Sequence, residues 1–347
     1  MIYLRNAWYV ASFAKDLGTA PIKLKVMDEA IVLYRKESGE AVALADRCPH
    51  RFAPLSMGKV KGDCIECPYH GLKFDATGVC VHNPHGDGAI PKAARVKSYP
   101  VVERDTIVWI WMGDAEKADP DQIIDLKGFY DLENHSIVYG SYKLNSHYEL
   151  VLDNLMDLSH APYLHAGSLS NGAADTAVMR VEMKQDGNTI FAYHFLDGVP
   201  PTPQFQPFWE SPSPIGDFRA TMRWDPPCNL QLDVGITDIG RPVEEGPYLH
   251  MTHLLTPVSE RETLYFWAAA RNSAVGIDAV SEMMRAAIDH AFTTEDEPMI
   301  DAVQERMDTI DLFSLKPVLL PGDAAGVRVR RTLDKLRAAE HAARNAA

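Results

Sequence analysis

Cysteine and histidine occur together on two short segments in the first quarter of the chain. Cys48 and His50 flank a proline, and after 16 intervening residues Cys67 and His70 follow, again with a proline directly after the cysteine. Two thiolates and two imidazoles suit either a tetrahedral zinc ion or a two-iron, two-sulfur cluster with cysteines on one iron and histidines on the other. Zinc sites usually group their cysteines and their histidines separately, whereas each segment here supplies one of each. The arrangement therefore favours the iron–sulfur cluster over zinc.

This ligand set predicts a role in electron transfer. Neutral imidazoles leave the reduced cluster less negative, so its potential lies at ~−150 to +300 mV instead of the ~−400 mV of an all-cysteine centre. Such a cluster suits a relay that receives electrons from a low-potential donor. The other cysteines, Cys64, Cys80 and Cys228, have no histidine at a matching spacing and are predicted to be ordinary thiols. The odd total of five cysteines, without a secretion signal, argues against a disulfide framework.

A second group of potential ligands lies between Asn154 and His165. Asn154, Asp157 and His160 recur at every third residue, which a helix would place on one face. A regular helix turns His165 ~140° away from His160, but Pro162 between them gives the helix a reason to break and the imidazoles a way to converge. Two histidines and one carboxylate are the ligands with which non-heme iron(II) enzymes activate dioxygen. Asp157 is one candidate for that carboxylate.

The flanking segments predict the elements that must position these residues. Up to about residue 115, short runs rich in β-branched and aromatic residues alternate with turn signals, which indicates a small all-β domain. A polar, proline-bearing stretch at 112–121 predicts a linker, so the domains are expected at 1–118 and 119–347.

The second domain has a mixed pattern. The predicted elements are an amphipathic helix at 148–160, strand-like alternation over 175–270, helical periodicity over 276–307 and a basic helix at 328–344. The predicted fold class is α+β, with an N-terminal all-β domain followed by a domain that has an antiparallel sheet and flanking helices.

Composition excludes several classes of function. The 347 residues include 48 acidic and 34 basic side chains, and the net charge of −14 argues against a nucleic-acid partner. No apolar run approaches the ~18–20 residues of a membrane span, and the first residues lack the pattern of a signal peptide. We therefore expect a cytoplasmic protein that does not bind membranes.

The segments at 48–56 and 67–72 resemble the Rieske domain of aromatic oxygenases, and the likeness extends over nearly the whole chain. The resemblance implies a Rieske 2Fe–2S cluster, a mononuclear non-heme Fe(II) and an iron carboxylate from a later helix instead of Asp157. The matching stretch is 294–297, in which Asp296 is our choice over Glu295 and Glu297. The alternative for Asp296 is a helix cap.

The resemblance also implies how electrons arrive. In this family the aspartate that matches Asp157 bridges toward the cluster of a neighbouring subunit. Such a bridge requires a head-to-tail ring, most simply a homotrimer. With Asn154, Asp157 is therefore predicted to be part of the catalytic machinery. The expected donor is a ferredoxin-type reductase with flavin and an iron–sulfur centre, through which NADH is used indirectly.

Segments at 5–10, 82–86, 152–158, 265–267 and 270–272 resemble the vanillate O-demethylase and dicamba monooxygenase branch. Its members hydroxylate the methyl carbon of an aromatic ether with dioxygen, and the hemiacetal collapses to a phenol and formaldehyde. The predicted substrate is a vanillate-like methoxylated aromatic acid. Hydroxylation of a ring or side chain is the alternative. An electron carrier without oxygen chemistry would have no use for the pair formed by His160 and His165.

Candidate substrate residues come from the strands of the second domain. His253 resembles a substrate-contacting histidine of the branch, and Asn229 and Asp233 on the preceding strand are predicted to line the same pocket. Asp233 would repel a carboxylate unless it is protonated or faces a phenol. The aromatic residues Phe205, Phe208 and Trp209 are predicted to pack in the core or a loop, with the wall of a pocket as the alternative. Arg271 is predicted to form a structural ion pair, with an acidic substrate as the alternative partner.

Overall fold

Residues 3–126, 131, 133–170 and 179–346 are described in the computed structural model of the chain. Contacts divide them into a first unit, residues 3–123 with 256–259, and a second unit, residues 124–255 with 260–346. This division falls five residues after the predicted boundary at 118. The return of residues 256–259 to the first unit depends on contacts between distant parts of the chain, which no local pattern indicates. No helix in the described ranges combines the length and the apolar character needed to cross a bilayer.

In its described part the first unit is built from short antiparallel strands, as the sequence predicts. They form three sheets, with the orders β1-β11-β10, β2-β3-β4-β9 and β5-β6-β7-β8. The strands are β1 Trp8–Phe13, β2 Ile22–Val26, β3 Glu29–Arg35, β4 Ala41–Ala45, β5 Lys59–Lys61, β6 Cys64–Glu66, β7 Lys73–Phe74, β8 Cys80–His82, β9 Ser98–Tyr99, β10 Val101–Arg104 and β11 Ile107–Trp111. The five residues of β11 are buried on both faces, which suits their continuous run of large apolar side chains.

The second unit has one seven-stranded antiparallel sheet and helices. The sheet order is β12-β18-β17-β16-β15-β14-β13. Its strands are β12 Ser136–Leu144, β13 Arg180–Asp186, β14 Thr189–Val199, β15 Gly216–Asp225, β16 Asn229–Thr237, β17 Tyr248–Ser259 and β18 Glu262–Arg271, and the helices are α1 Tyr148–Met156, α2 Ala161–Leu164, α3 Asp278–His290, α4 Glu297–Arg306 and α5 Ala324–Ala346. A π-helical segment, Ala291–Asp296, joins α3 to α4. The two units together confirm the predicted α+β class.

The helix predicted over 148–160 is shorter than expected. It ends at Met156 because Asp157 has extended backbone angles, φ −122° and ψ 94°. A 3₁₀ turn at Leu158–His160 and the short helix α2 follow, with Pro162 in the first turn of α2. The prediction that Asn154, Asp157 and His160 share one helix face is therefore wrong. Proline does not break the helix, because the chain has already left it at Asp157.

Helix α5 holds α1 in place through buried ion pairs. Arg330 pairs with Glu149 at 3.0 Å and with Asp153 at 2.6 Å, and Arg337 pairs with Glu149 at 2.5 Å. Glu149 and Arg330 are at most 4% exposed, and each has two partners of opposite charge, so neither charge is buried without compensation. The basic residues near the end of the chain thus fix the helix that leads into the His160–His165 segment.

Candidate functional site

The two cysteine–histidine segments fold into loops with the same backbone pattern. The N–H of Cys48 donates to the carbonyl of Ala53, and that of Cys67 donates to Leu72 in the equivalent position. Four residues after each cysteine, Phe52 and Gly71 donate back to the cysteine carbonyl. Both adopt positive φ, 59° and 72°, to close the turn. The first unit therefore presents two matching loops, each with one thiol and one imidazole.

The donor atoms of these loops have the environment that a mixed cysteine–histidine cluster requires. Cys48 and Cys67 are each 2% exposed within an apolar cluster of the core, and the rings of His50 and His70 lie 4.5 Å apart between centroids. Burial, foremost, raises the pKa of the Cys48 thiol to about 11, so a bound cation is needed to keep it a thiolate at neutral pH. These residues fit a cluster with thiolates inside the protein and imidazoles toward its surface.

Three donor atoms converge in the second unit. Nε2 of His160 and Nε2 of His165 lie 3.3 Å apart, and Oδ1 of Asp296 lies 3.6 and 3.3 Å from them. Among the described residues this is the group of three with ligand atoms within 4.8 Å of one another. Separations near 3.3 Å are those of ligands that share one ion at about 2.0–2.2 Å. Two imidazoles and one carboxylate are also the ligands of the non-heme iron(II) facial site.

The other ring nitrogen of each histidine has its own partner. Nδ1 of His160 lies 2.6 Å from the carbonyl oxygen of Asp157, and Nδ1 of His165 lies 2.7 Å from Oε2 of Glu295. Both partners are acceptors, so each Nδ1 donates and each Nε2 keeps its lone pair for a metal. Burial lowers the pKa of His160. Burial also acts to lower the pKa of His165, but the Asp296 and Glu295 carboxylates outweigh it and raise that pKa.

The π-helical segment explains how two adjacent acidic residues serve one site. An α-helix would turn neighbouring side chains about 100° apart, whereas the wider π turn lets Glu295 reach His165 while Asp296 faces both imidazoles. Asp296 is 4% exposed and makes no capping hydrogen bond to α4, so the alternative role as a helix cap is not observed. Asn154, on α1, donates to Oδ1 of Asp296 at 3.0 Å.

Asp157 lies beside this group without joining it. Its Oδ1 accepts the backbone N–H of Ser159 at 2.9 Å, and no described residue donates to Oδ2. Gly322 leaves room for the carboxylate, since a Cβ on this glycine would come within 3.1 Å of Oδ1. Sequence reasoning missed two further contributions to this site, the Asp157 carbonyl and the Glu295 carboxylate. Adjacent acidic residues at 295 and 296 are the sequence signal for the Glu295 contribution. The sequence does not show the π turn that brings both residues to the site.

An apolar cavity of about 210 Å³ lies beside the segment that carries Glu295 and Asp296, although none of the three donors lines it. Ser168, which donates to Glu295 at 2.8 Å, and Phe292, one turn before Asp296, form the wall nearest to them. Phe205 and Phe208 also line it, which agrees with the alternative role of a pocket wall. An aromatic substrate needs an apolar slot of this kind with a few polar groups.

His253 lies on the cavity side of the sheet but does not line the cavity. It is 1% exposed, its Nδ1 lies 2.5 Å from the Tyr265 hydroxyl and its ring is 6.1 Å from that of Phe292. Burial lowers its pKa to about 3, so it is neutral. Strand alternation puts it on the same face as the lining residues Leu249 and Met251. A substrate contact by His253 stays a prediction.

Asn229 and Asp233 project from the opposite face of the sheet. In the register of β16 and β17, Leu232 lies opposite Met251, so the side chains of Asn229 and Asp233 point away from the cavity. Neither lines the cavity, and Asp233 pairs with His250 near the surface. The prediction that these residues line the same pocket as His253 has no support from this cavity, because they alternate with the residues of β16 that face it.

A cysteine–histidine centre in one unit and a two-histidine, one-carboxylate centre in the other define a two-centre iron oxygenase. Residues 7–100 match the Rieske [2Fe-2S] domain, and residues 144–339 match the vanillate O-demethylase oxygenase C-terminal domain. The chain thus belongs to the Rieske non-heme iron oxygenases, in the family of the vanillate O-demethylase oxygenase subunit. It carries the two cofactors of this family, a Rieske 2Fe–2S cluster and a mononuclear non-heme iron.

Individual relatives cover the chain from end to end. The chain is 36% identical over 342 residues to the oxygenase component of dicamba O-demethylase from Stenotrophomonas maltophilia, over 99% of the chain and 100% of that protein. It is 32% identical over 362 residues to a vanillate O-demethylase oxygenase subunit from a Pseudomonas species, over 100% of the chain and 98% of that protein. A crystal structure of dicamba monooxygenase with non-heme iron and dicamba matches with a TM-score of 0.85 and 34% identity, covering 99% of each chain.

Proposed function

We propose that the chain O-demethylates a methoxylated aromatic acid as the oxygenase component of a Rieske monooxygenase system. The observation that carries the proposal is the apolar cavity beside the His160, His165 and Asp296 donors. The names of the relatives, dicamba O-demethylase and vanillate O-demethylase, support this reaction class. One methoxy group, one dioxygen, two electrons and two protons give one phenol, one formaldehyde and one water.

We also propose the ligands of the two centres. Cys48, His50, Cys67 and His70 would hold the 2Fe–2S cluster, which supplies single-electron transfer when bound. Support comes from the matching loops and from the two thiols buried in the core.

His160, His165 and Asp296 would hold the mononuclear iron, which supplies dioxygen activation when bound. The chain's own residues prepare that site. The Asp157 carbonyl and the Glu295 carboxylate accept the Nδ1 protons of the two histidines, and Asn154 donates to Asp296, so each ligand atom has one orientation. The apolar walls of the cavity, including Phe292, keep water from the reacting methyl group.

Asp157 would connect the two centres across a subunit interface. The proposal of a homotrimer with this bridge depends on the family resemblance, and the free Oδ2 within the described residues is consistent with it. An isolated carboxylate acceptor at this position can take an imidazole N–H from a neighbouring cluster ligand.

The electron donor would be a separate reductase with flavin and an iron–sulfur centre, oxidising NADH. The relative from Stenotrophomonas maltophilia is named as the oxygenase component of dicamba O-demethylase, which supports a separate electron donor. Within the first unit His50 is exposed, and Phe52, Met57 and Tyr69 on or next to the two ligand loops are 62–73% exposed, which suits a transient redox partner. The cytoplasm, as a source of NADH, is the proposed location.

Formaldehyde release tests the proposed reaction. The holoenzyme, NADH and a reductase of broad acceptor range would be incubated with a panel of methoxylated aromatic acids and with their ethoxy and unmethoxylated analogues. We expect formaldehyde in a 1:1 ratio to dioxygen consumed with at least one methoxy acid, and none from unmethoxylated compounds. Hydroxylated products without formaldehyde would instead support ring or side-chain hydroxylation. The absence of oxygen-dependent product across the panel would contradict the proposal.

A further inference from the structure

A helix runs along one wall of the cavity in the second unit. Helix α3 and the start of the π-helical segment contribute a single apolar stripe to its wall, formed by Val280, Met283, Met284, Ala287, Ile288 and Ala291. These positions recur at intervals of three and four, so they lie on one side of the helix. Ala291 lies eleven positions after Val280, and a rise of 1.5 Å per position makes the stripe about 16 Å long. A single methoxybenzoate, with bonds of about 1.2–1.5 Å, spans only about half of this length.

The two ends of the cavity differ in chemistry. At one end Ala291, Phe292 and Ser168 adjoin the proposed iron ligands, through the bond from Ser168 to Glu295. At the other end Arg271, the last residue of β18, lines the wall. Its Nη2 donates to the Ile277 carbonyl at 2.9 Å and to the Ser281 hydroxyl at 3.1 Å, which fixes the guanidinium beside the first turn of α3.

Arg271 lacks the ion pair that the sequence predicted for it. The residue is 2% exposed, and its Nε and Nη1 have no hydrogen-bond partner among the described residues. No carboxylate of the described ranges pairs with it. Burial lowers the pKa of the guanidinium, yet arginine stays charged in proteins at neutral pH.

A buried cation without a counter-ion is costly unless a bound anion compensates it. Strand alternation places Arg271 on the same face of the sheet as Tyr265, whose ring contacts Phe292, so the guanidinium lies on the cavity side. The unpartnered Nη1 can donate to a carboxylate oxygen, and the negative charge of the carboxylate would compensate that of the guanidinium.

We propose that Arg271 binds the carboxylate of an elongated aromatic acid, whose methoxy group lies at the opposite, iron-side end of the cavity. The substrate class that follows is a rod-shaped acid longer than one benzoate ring, such as a biphenyl or an arylpropenoate. This inference rests on the proposed O-demethylase function and specifies its substrate. A short methoxybenzoate cannot reach both ends, so it gains nothing from Arg271 when its methyl group is at the iron side.

Equilibrium binding to the resting holoenzyme, without an electron donor, tests this inference independently of turnover. Calorimetry would compare 4-methoxybenzoate, 4-methoxycinnamate and 4′-methoxybiphenyl-4-carboxylate, each with its primary carboxamide. We expect the biphenyl acid to bind at least tenfold tighter than its carboxamide and tighter than the benzoate. Equal affinity of acid and carboxamide for the wild-type protein would overturn the inference, and this comparison needs no variant.

Variants then assign the preference to Arg271. Arg271→Gln should weaken the biphenyl acid at least tenfold and leave its carboxamide within twofold, because only the charge-assisted hydrogen bonds are lost. Arg271→Lys should give an intermediate loss, since it keeps the charge but not the fork. Arg285→Gln is the matched control, an arginine of α3 whose guanidinium lies over the ring of Trp267 and which does not line the cavity.

Equal weakening of acid and carboxamide by Arg271→Gln would mean that the arginine only ties β18 to α3, and this result would overturn the inference. If Arg271→Gln does not fold, the Lys variant and the wild-type comparison still decide. The formaldehyde panel is read separately. A panel without formaldehyde counts against O-demethylation, whereas a lost preference for long acids counts only against the role of Arg271.

Discussion

The cluster loops and the iron ligands are assembled in opposite ways. The four proposed cluster ligands lie within residues 48–70, on two loops that repeat one hydrogen-bond pattern. The three proposed iron ligands span residues 160–296 and come from a turn after α1 and from a π-helical segment. A local site depends on turns that its own residues encode. A distributed site depends on every element that holds its parts together, here α1, α5 and the α3–α4 helical segment.

The two centres also differ in how their histidines are supported. The rings of His50 and His70 lie toward the surface of the first unit, whereas His165 is 4% exposed and its Nδ1 is held by the Glu295 carboxylate. Substitutions in the distributed site should therefore affect catalysis and iron binding while the cluster survives. The following predictions test that separation, in order of decreasing expected effect on turnover.

The largest effect is expected for His165→Ala. The loss of one of three ligands should remove the mononuclear iron. Turnover should fall by more than the ~10–100-fold that is typical when a residue hydrogen-bonded to a metal ligand is replaced. The visible spectrum of the cluster should remain, and iron analysis should give about two irons per chain instead of three. His341→Ala, an exposed histidine of α5, serves as the control and should change neither quantity. Wild-type formaldehyde release by the His165 variant would remove this residue from the site.

Asp157→Asn should cause the next largest loss. The amide is nearly isosteric and the backbone carbonyl that orients His160 is retained, so both metal centres should be retained. If Asp157 connects the two centres, however, the loss of its charge should slow electron transfer by orders of magnitude. Single-turnover stopped-flow of the pre-reduced variant, with iron counted in the same sample, measures this directly. Full iron with a wild-type rate of cluster reoxidation contradicts the bridge, and loss of the mononuclear iron with an intact cluster indicates a ligand role.

Glu295→Gln should have a moderate effect on the iron centre alone. The uncharged amide is a weaker acceptor for the His165 Nδ1 hydrogen bond. The affinity for iron should therefore fall by about tenfold, the lower end of the range for residues that hydrogen-bond to a metal ligand. Titration of the metal-depleted protein with Fe(II) under anaerobic conditions measures the change. Glu297→Gln, two residues later and not in contact with either histidine, is the matched control. An equal loss in both variants would show a general charge effect instead of an orienting bond.

The smallest effect concerns stability toward acid. Burial lowers the pKa of His147 to about 4, so the unfolded state binds more protons between pH 6.5 and 4 and the folded state loses stability as the pH falls. His147→Asn keeps an N-cap acceptor for α1 and removes the titration. From pH 7 to 5 the wild type should lose up to about 2 kcal/mol of unfolding free energy relative to the variant.

Urea unfolding of both proteins at several pH values, followed by far-UV circular dichroism, measures this difference. Cluster absorbance reports on the first unit in the same samples, and it should respond to pH alike in the two proteins. A constant difference between the wild type and the variant over this range would exclude a titration of His147.

Much of the site was predictable because metal ligands can be recognised from residue types and short spacings. The pairs Cys48–His50 and Cys67–His70 and the histidines at 160 and 165 are identified without coordinates, as are the all-β first domain and the sheet of the second. Asp296 was reached only through a resemblance, since three acidic residues in a row offer no local criterion for the register. That it and the histidines bind iron stays a prediction, supported by their geometry.

Only the tertiary structure showed where a helix ends, which face of a strand is covered and where a π turn replaces an α turn. Residue types alone did not indicate that α1 ends at Met156, that a π turn lets Glu295 and Asp296 serve one site, or that Asn229 faces away from the cavity. Each of these depends on backbone angles or on which face of a strand is covered. Arg271 is the clearest case. Its sequence position suggested an ion pair, and only the packing of β18 against α3 leaves its charge buried and without a carboxylate partner in the described ranges.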